Sequence, residues 1–272
     1  MSNNKNYKMP SKKPWDESDP SKVGGPRRKK GRAAARAGIT PPNARAGSVW
    51  VPPSATLSSR RVIYKSKSSF RGALVNPKTN REIMYESTLE RDAAYILIAH
   101  PDVEDFHEQA APVRYTDAIG KGRTHTFDFQ VRMVNGSTQS LAIKHDHQVV
   151  KSGILETLDL IRIQRPKGCG DVIELKTERQ ITRERAENAR LIVRALNCRI
   201  DQDVELIRDF VMNLSGPSKI ADILRKTIPD ARGFMALLCL VADGDIVTSH
   251  QGFITYESSV QQRRRAQSSE GV

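Results

Sequence analysis

Cysteine is scarce: Cys169, Cys198 and Cys239 are three in 272 residues, widely spaced and odd in number. That argues against a disulfide framework, and without a C-x-x-C pair no structural zinc site is expected. Long apolar runs are scarce too. The longest, Phe234 to Ala242, is far short of the roughly 20 residues that cross a bilayer. The polar N-terminal stretch has no signal-peptide-like apolar segment, so a cytoplasmic protein without a membrane segment is expected. A phosphate-cradling loop is also missing, since Val23-Gly24-Gly25-Pro26 lacks the Walker spacing and its closing Lys-Ser/Thr. Near the start it is acid that runs short: residues 1–58 carry 12 Lys or Arg against 3 Asp or Glu, so nine of the thirteen net positive charges lie there.

That imbalance points to a polyanionic partner. Residues 1–59 are rich in Lys, Arg, Pro, Ser, Gly and Asn, and such a segment buries too little apolar surface to offset the entropy of ordering. A disordered basic tail is expected. Its run Arg27, Arg28, Lys29, Lys30 and Arg32 suits non-specific contact with DNA phosphates, although a merely solubilising tail has the same composition.

Order is expected from about Arg60, with a first turn at Pro77 to Asn80. Leu89, Ala93, Ile96 and Leu97 recur at helical spacing from Ser87 to Ala99, and His100-Pro101 stops the run. Residues 113–115, 124–134 and 139–144 read as strands, with Asn135-Gly136 as a hairpin turn. A helix over 151–164, a strand over 171–176 and a helix over 182–196 follow. This succession predicts an α/β fold, a mixed sheet flanked by helices. Beyond a polar helix near 202–213, helices at 219–227 and 232–242 and strands at 246–248 and 253–256 outline a winged helix, a device that binds DNA or protein. The expected units are a tail over 1–59, a central domain over 60–200 and a winged-helix-like domain over 201–272.

Three residues of the central part are candidates for chemistry, and each has an ordinary structural reading. An Asp between two Phe residues in a strand, Asp128, is unusual because Asp is depleted in strands, yet it could lie on a solvated face. Lys144 alternates with Ile143 and would face Asp128 if their strands are neighbours in the right register, or it is a surface lysine. Glu90 closes Ser87-Thr88-Leu89-Glu90, an S-x-x-E capping box, and so has a purely helical role open to it.

Taken together the motifs resemble a known pattern. They include Arg71-Gly72, Tyr85 through Asp92, Pro101-Asp102-Val103, Phe106 through Glu108-Gln109, and Tyr115-Thr116-Asp117. Thr126 through Phe129, Ala142-Ile143-Lys144, Thr177-Glu178-Arg179 and Asn188-Ala189 complete the string. The stretch from about Arg61 to Asn188 resembles the TnsA-type endonuclease subunit of heteromeric transposases, a branch of the PD-(D/E)XK restriction-endonuclease-like superfamily. By this resemblance Glu90 and Asp128 correspond to the catalytic acids, and Lys144 to the lysine closing an acid-or-Gln-x-Lys motif. Mg²⁺, with Mn²⁺ as substitute, would be held by Asp128, Glu90 and the Ile143 carbonyl. The implied activity is cutting of double-stranded DNA at transposon ends, beside a DDE-type transposase subunit and an AAA+ ATPase regulator.

The sequence departs from that pattern at Ala142, which stands where the acid or Gln is expected, and a methyl group cannot ligate a metal. Ile173-Glu174-Leu175-Lys176 repeats the acid-x-Lys spacing, and His145-Asp146-His147 offers softer ligands or simply a solvated turn. The rival to the endonuclease is therefore a DNA-bound assembly subunit that keeps the nuclease fold with impaired chemistry.

Overall fold

A hairpin leads into the first helix. The computed structural model describes residues 51–59, 70–249 and 252–263; the basic run Arg27 to Arg32 lies outside the described residues. Strands β1 (Gly72–Asn76) and β2 (Arg81–Tyr85) pair antiparallel about the expected turn, where Asn80 takes a left-handed φ of 47°, a conformation Asn tolerates better than most residues. Helix α1 (Thr88–Ala99) follows. Its N-cap Ser87 accepts the Glu90 amide at 3.1 Å, and Leu89, Ala93, Ala94 and Ile98 form its buried stripe.

The main sheet contains β3 (Val103–Glu108), β6 (Phe129–Met133), β7 (Thr138–Ile143) and β8 (Val172–Lys176), in that spatial order. The first three are antiparallel neighbours, and β8 joins β7 in parallel. Asn135-Gly136 makes the β6–β7 turn, with Gly136 at φ 83°. A small antiparallel pair, β4 (Val113–Thr116) and β5 (Gly122–His125), lies between β3 and β6 in sequence. At the start of β8, Asp171 accepts both the amide and the hydroxyl of Thr138 at 2.8 Å. Gly170 is required there because a Cβ would meet the backbone of Thr138, Gln139 and Ser140 at about 3 Å.

Helices cover the sheet on both faces. On one, α1 and α4 (Arg183–Asn197) pack over Phe106, Phe129, Val131, Leu141 and Ile143; Phe106 and Phe129 meet edge to face, 5.7 Å apart. Burying each of these rings contributes about 2–3 kcal/mol. On the other, α3 (Ile154–Gln164) brings Ile154, Leu158 and Ile161 against Val113, Phe127, Ala142 and Ile173. The expected mixed sheet flanked by helices is thus found.

Past α4 come α5 (Asp201–Met212), β9 (Ser218–Lys219), α6 (Ile220–Lys226), α7 (Ala231–Asp243), β10 (Ile246–Thr248) and β11 (Ser259–Gln262), whose strands order β10-β11-β9. One apolar cluster takes Ala99 from α1, Ala189, Ile192 and Ala195 from α4, and residues from α5 through Val260. None of the seven helices among the described residues is long and apolar enough to cross a membrane.

Three expected elements differ. The strand over 124–134 is broken at 126–128, so Phe127 and Phe129 join different clusters instead of sharing a face. The helix over 151–164 is two, α2 (Asp146–Ser152) and α3, separated by Gly153 at φ 64°. The strand over 253–256 is a loop, because its backbone binds elsewhere: Ile254 donates to the Asn188 side chain at 2.8 Å and Tyr256 accepts from Ala221 at 2.9 Å. The pairing falls to Ser259–Gln262.

Candidate active site

Strand directions bring four chain segments to one end of the main sheet. β3 ends at Glu108 opposite the start of β6 at Phe129; β7 ends at Ile143 beside Lys176, the end of β8. Gln109, Asp128, Lys144 and Thr177 therefore all stand at the same end. The start of α1 belongs there too, since Thr88 and Leu89 line one cleft with His145 and Glu178.

Asp128 sits in the bend that breaks the expected strand. Its Oδ2 accepts the Ile143 amide at 2.6 Å, and its carbonyl accepts the Gln109 amide at 3.0 Å. A carboxylate so held is fixed in direction between two strand ends. Lys144 follows β7 directly, and its amide donates to the Lys176 carbonyl at 3.1 Å. Its charge is felt at His125, where burial first and Lys144 second hold the imidazole below its ordinary pKa. Glu90 realises the capping box: Oε2 accepts the Glu86 amide at 2.8 Å and Oε1 the Ser87 hydroxyl at 3.0 Å. The amide reached is that of Glu86, one residue before the cap.

Ala142 is only 2% exposed and belongs to the apolar cluster of Phe127, Leu158, Ile161 and Ile173. The position that would carry the acid or Gln is filled with hydrocarbon. Glu174 and Lys176 do not take its place. They are registered with Leu141 and Ile143, hence on the opposite face, and pair with each other at 2.6 Å on the wall of a cavity of about 300 Å³ beneath α1. The His145-Asp146-His147 group is tied to the turn after β8 instead: Glu178 bonds the His145 ring and accepts the Asp146 amide at 2.9 Å, and Arg179 pairs with Asp146 at 2.8 Å. Burial alone would raise the Glu178 carboxyl, but hydrogen bonds from His145 and the backbone hold it below its ordinary range.

Two neighbours had no role assigned from sequence. Glu108, 1% exposed, accepts the Met84 amide at 2.9 Å and the Thr56 hydroxyl through Oε1; its Oε2 is buried without a hydrogen-bond partner among the described residues. Gln109, 5% exposed, has φ 48°, a left-handed conformation that costs a non-glycine residue about 1 kcal/mol. Its Nε2 lies 3.5 Å from Asp128 Oδ1. Glu108-Gln109 is visible in sequence as a polar pair, but the strand it ends is not among those the sequence predicts, and a positive φ at Gln leaves no sequence signature.

In the C-terminal segment α7 is buried along its length, from Gly233 and Phe234 to Ala242. Its polar rim is paired: Arg232 chelates Asp203 of α5 at 2.7 and 3.0 Å, while Asp243 binds Arg199 and Arg208. That helix has no free face with which to enter a DNA groove.

The Asp128 carboxylate is the kind of donor a hard cation takes, with water and phosphate completing the shell, whereas both Glu90 oxygens are engaged at the helix cap. No group of three or more His, Cys, Asp or Glu suited to a metal occurs among the described residues. Neither protein-family models nor curated proteins give a match to the chain.

Proposed function

We propose that the chain is a metal-dependent DNA endonuclease subunit of the TnsA type, built on a restriction-endonuclease-like core. The observation that carries this reading is the placing of Asp128 and Lys144 at one end of a mixed sheet, where Asp128 holds the amide of Ile143. Asp128 is the principal ligand for Mg²⁺, with Glu90 and the Ile143 carbonyl as the further donors implied by the resemblance. A metal held there would supply Lewis-acid polarisation of the scissile phosphate and a lowered pKa for the attacking water. Lys144 orients that water or offsets charge on the phosphorane. The basic tail gathers duplex DNA through counterion release. A DDE-type transposase subunit and an AAA+ regulator are the partners the resemblance implies. The segment from α5 to β11 has the order helix, strand, helix, helix, strand, strand of a winged helix, and the burial of α7 favours a role in packing or protein contact over base reading.

The test is Asp128→Ala in a reaction reconstituted with a transposase partner. Metal-dependent cleavage should vanish while DNA retention is kept, and undiminished cleavage would overturn the assignment. The burial of Ala142 among apolar side chains supports a second reading, an assembly subunit that keeps the fold without the chemistry. Under that reading the wild-type chain itself supports no cleavage in the same reaction.

A further inference from the structure

Position 142 cannot supply the second side-chain ligand, so the question is which neighbour of Asp128 can. Gln109 is placed by three independent features. Its backbone is pinned on both sides, the amide donating to Asp128 and the carbonyl accepting from Ser59, each at 3.0 Å. Its φ of 48° interrupts the alternation of β3 just as the strand ends. Its side chain is almost fully buried, with the carboxamide 3.5 Å from the Asp128 carboxylate.

That last distance is long for a hydrogen bond to an ionised group, which is typically about 2.7–2.9 Å. The carboxamide therefore adjoins Asp128 without being drawn fully onto it as a donor. The two ends of an amide are distinguished only by their partners, and rotation about the last side-chain bond presents Oε1 in place of Nε2. A carboxamide oxygen is a hard donor of the kind that serves Mg²⁺ and Mn²⁺.

We infer that Gln109 is a metal ligand beside Asp128, supplying from the end of β3 the oxygen that Ala142 does not supply from β7. The inference rests on the nuclease reading. It assigns the site an acid and an amide from adjoining strand ends, and it accounts for a left-handed glutamine where glycine or asparagine would be easier. Ala142 is then free to pack against α3, because the ligand has moved to another strand.

The experiment is titration of the full-length chain with Mn²⁺ by calorimetry, for the wild type, Asp128→Asn, Gln109→Glu and Gln109→Met. Unfolding in EDTA establishes that each variant is folded, and methionine retains the buried volume without a hard donor. A ligand at 109 requires Gln109→Glu to tighten Mn²⁺, by about tenfold, because an added ligand charge raises affinity for hard cations. It requires Gln109→Met to weaken binding by about tenfold. If Gln109 only donates to Asp128, Gln109→Met removes a donor from that carboxylate and leaves Mn²⁺ binding unchanged or tighter, which overturns the inference whatever Gln109→Glu does, since a second carboxylate tightens a divalent ion in either case. Asp128-dependent binding that neither Gln109 variant alters overturns the inference alone. Absence of Asp128-dependent binding in every folded variant overturns the nuclease reading and the inference with it.

Discussion

A carboxylate introduced at Ala142 would restore the motif on paper and break the packing in the protein. The side chain would enter the cluster of Phe127, Leu158, Ile161 and Ile173. Overpacking and burial of an unpaired acid cost about 3 kcal/mol or more. Ala142→Glu should thus lower the urea midpoint without producing cleavage, and an unchanged midpoint would contradict the burial argument. Glu90 allows a cleaner separation of roles. A glutamine also completes a capping box, so Glu90→Gln should leave stability within about 0.5 kcal/mol, whereas Ser87→Ala should cost about 1 kcal/mol. If Glu90 serves chemistry, Glu90→Gln lowers Mn²⁺ affinity at unchanged thermal midpoint; loss of stability with no change in affinity would leave it a helix cap only. The spacing of these residues was legible in sequence. The direction in which Asp128 points was not, because the bend at 126–128 changes which core each flanking Phe enters.

Among the elements, α7 has the clearest consequence. Its residues are apolar all round, the mark of a helix covered on every side, and it packs on both α4 and α5. Leu238, fully buried, should cost about 2–5 kcal/mol when replaced by alanine, as measured by chemical denaturation. Removing residues 215–272 should likewise abolish cooperative unfolding of the remainder, since it strips the partners of Ala99, Ala189, Ile192 and Ala195. A truncated chain with a sharp thermal transition would argue against this shared core. By composition Ser215-Gly216-Pro217-Ser218 reads as a joint; such composition marks a loop and does not reveal that the elements on either side share a core.

At the scale of the whole molecule, histidines tune stability to pH. Burial, the largest cause in each case, holds His100, His107 and His125 below their ordinary pKa. At His100 the charges of Arg263, Arg185 and Lys78 add to this against Asp102. At His107 Arg81 adds to it against Glu108 and Asp105, and at His125 Lys144 adds to it. A lowered histidine binds its proton more readily once unfolded. The unfolded chain therefore takes up protons as pH falls through about 6.5. Stability should be highest above that value and decline toward the lower folded pKa values. The urea midpoint should accordingly drop between pH 7.5 and pH 5.5, with a shallower slope in His125→Phe; a flat profile would contradict these directions. This window is separate from the acid range in which Asp102, Asp105 and Glu178, held low by their partners, lose their contributions.

Local chemistry was enough to determine much of this protein from sequence: Ser87 as a cap, the Asn135-Gly136 turn, the stripe of α1, the apolar girth of α7 and the spacing of Asp128 and Lys144. These depend on backbone geometry within a few residues. Only the tertiary structure decided that Ala142 faces hydrocarbon, that Glu174 and Lys176 lie on the other face of the sheet, that α7 is enclosed, and that Gln109 meets Asp128. Each of those is set by strand register and by long-range packing, where a break of three residues reassigns a side chain from one core to another.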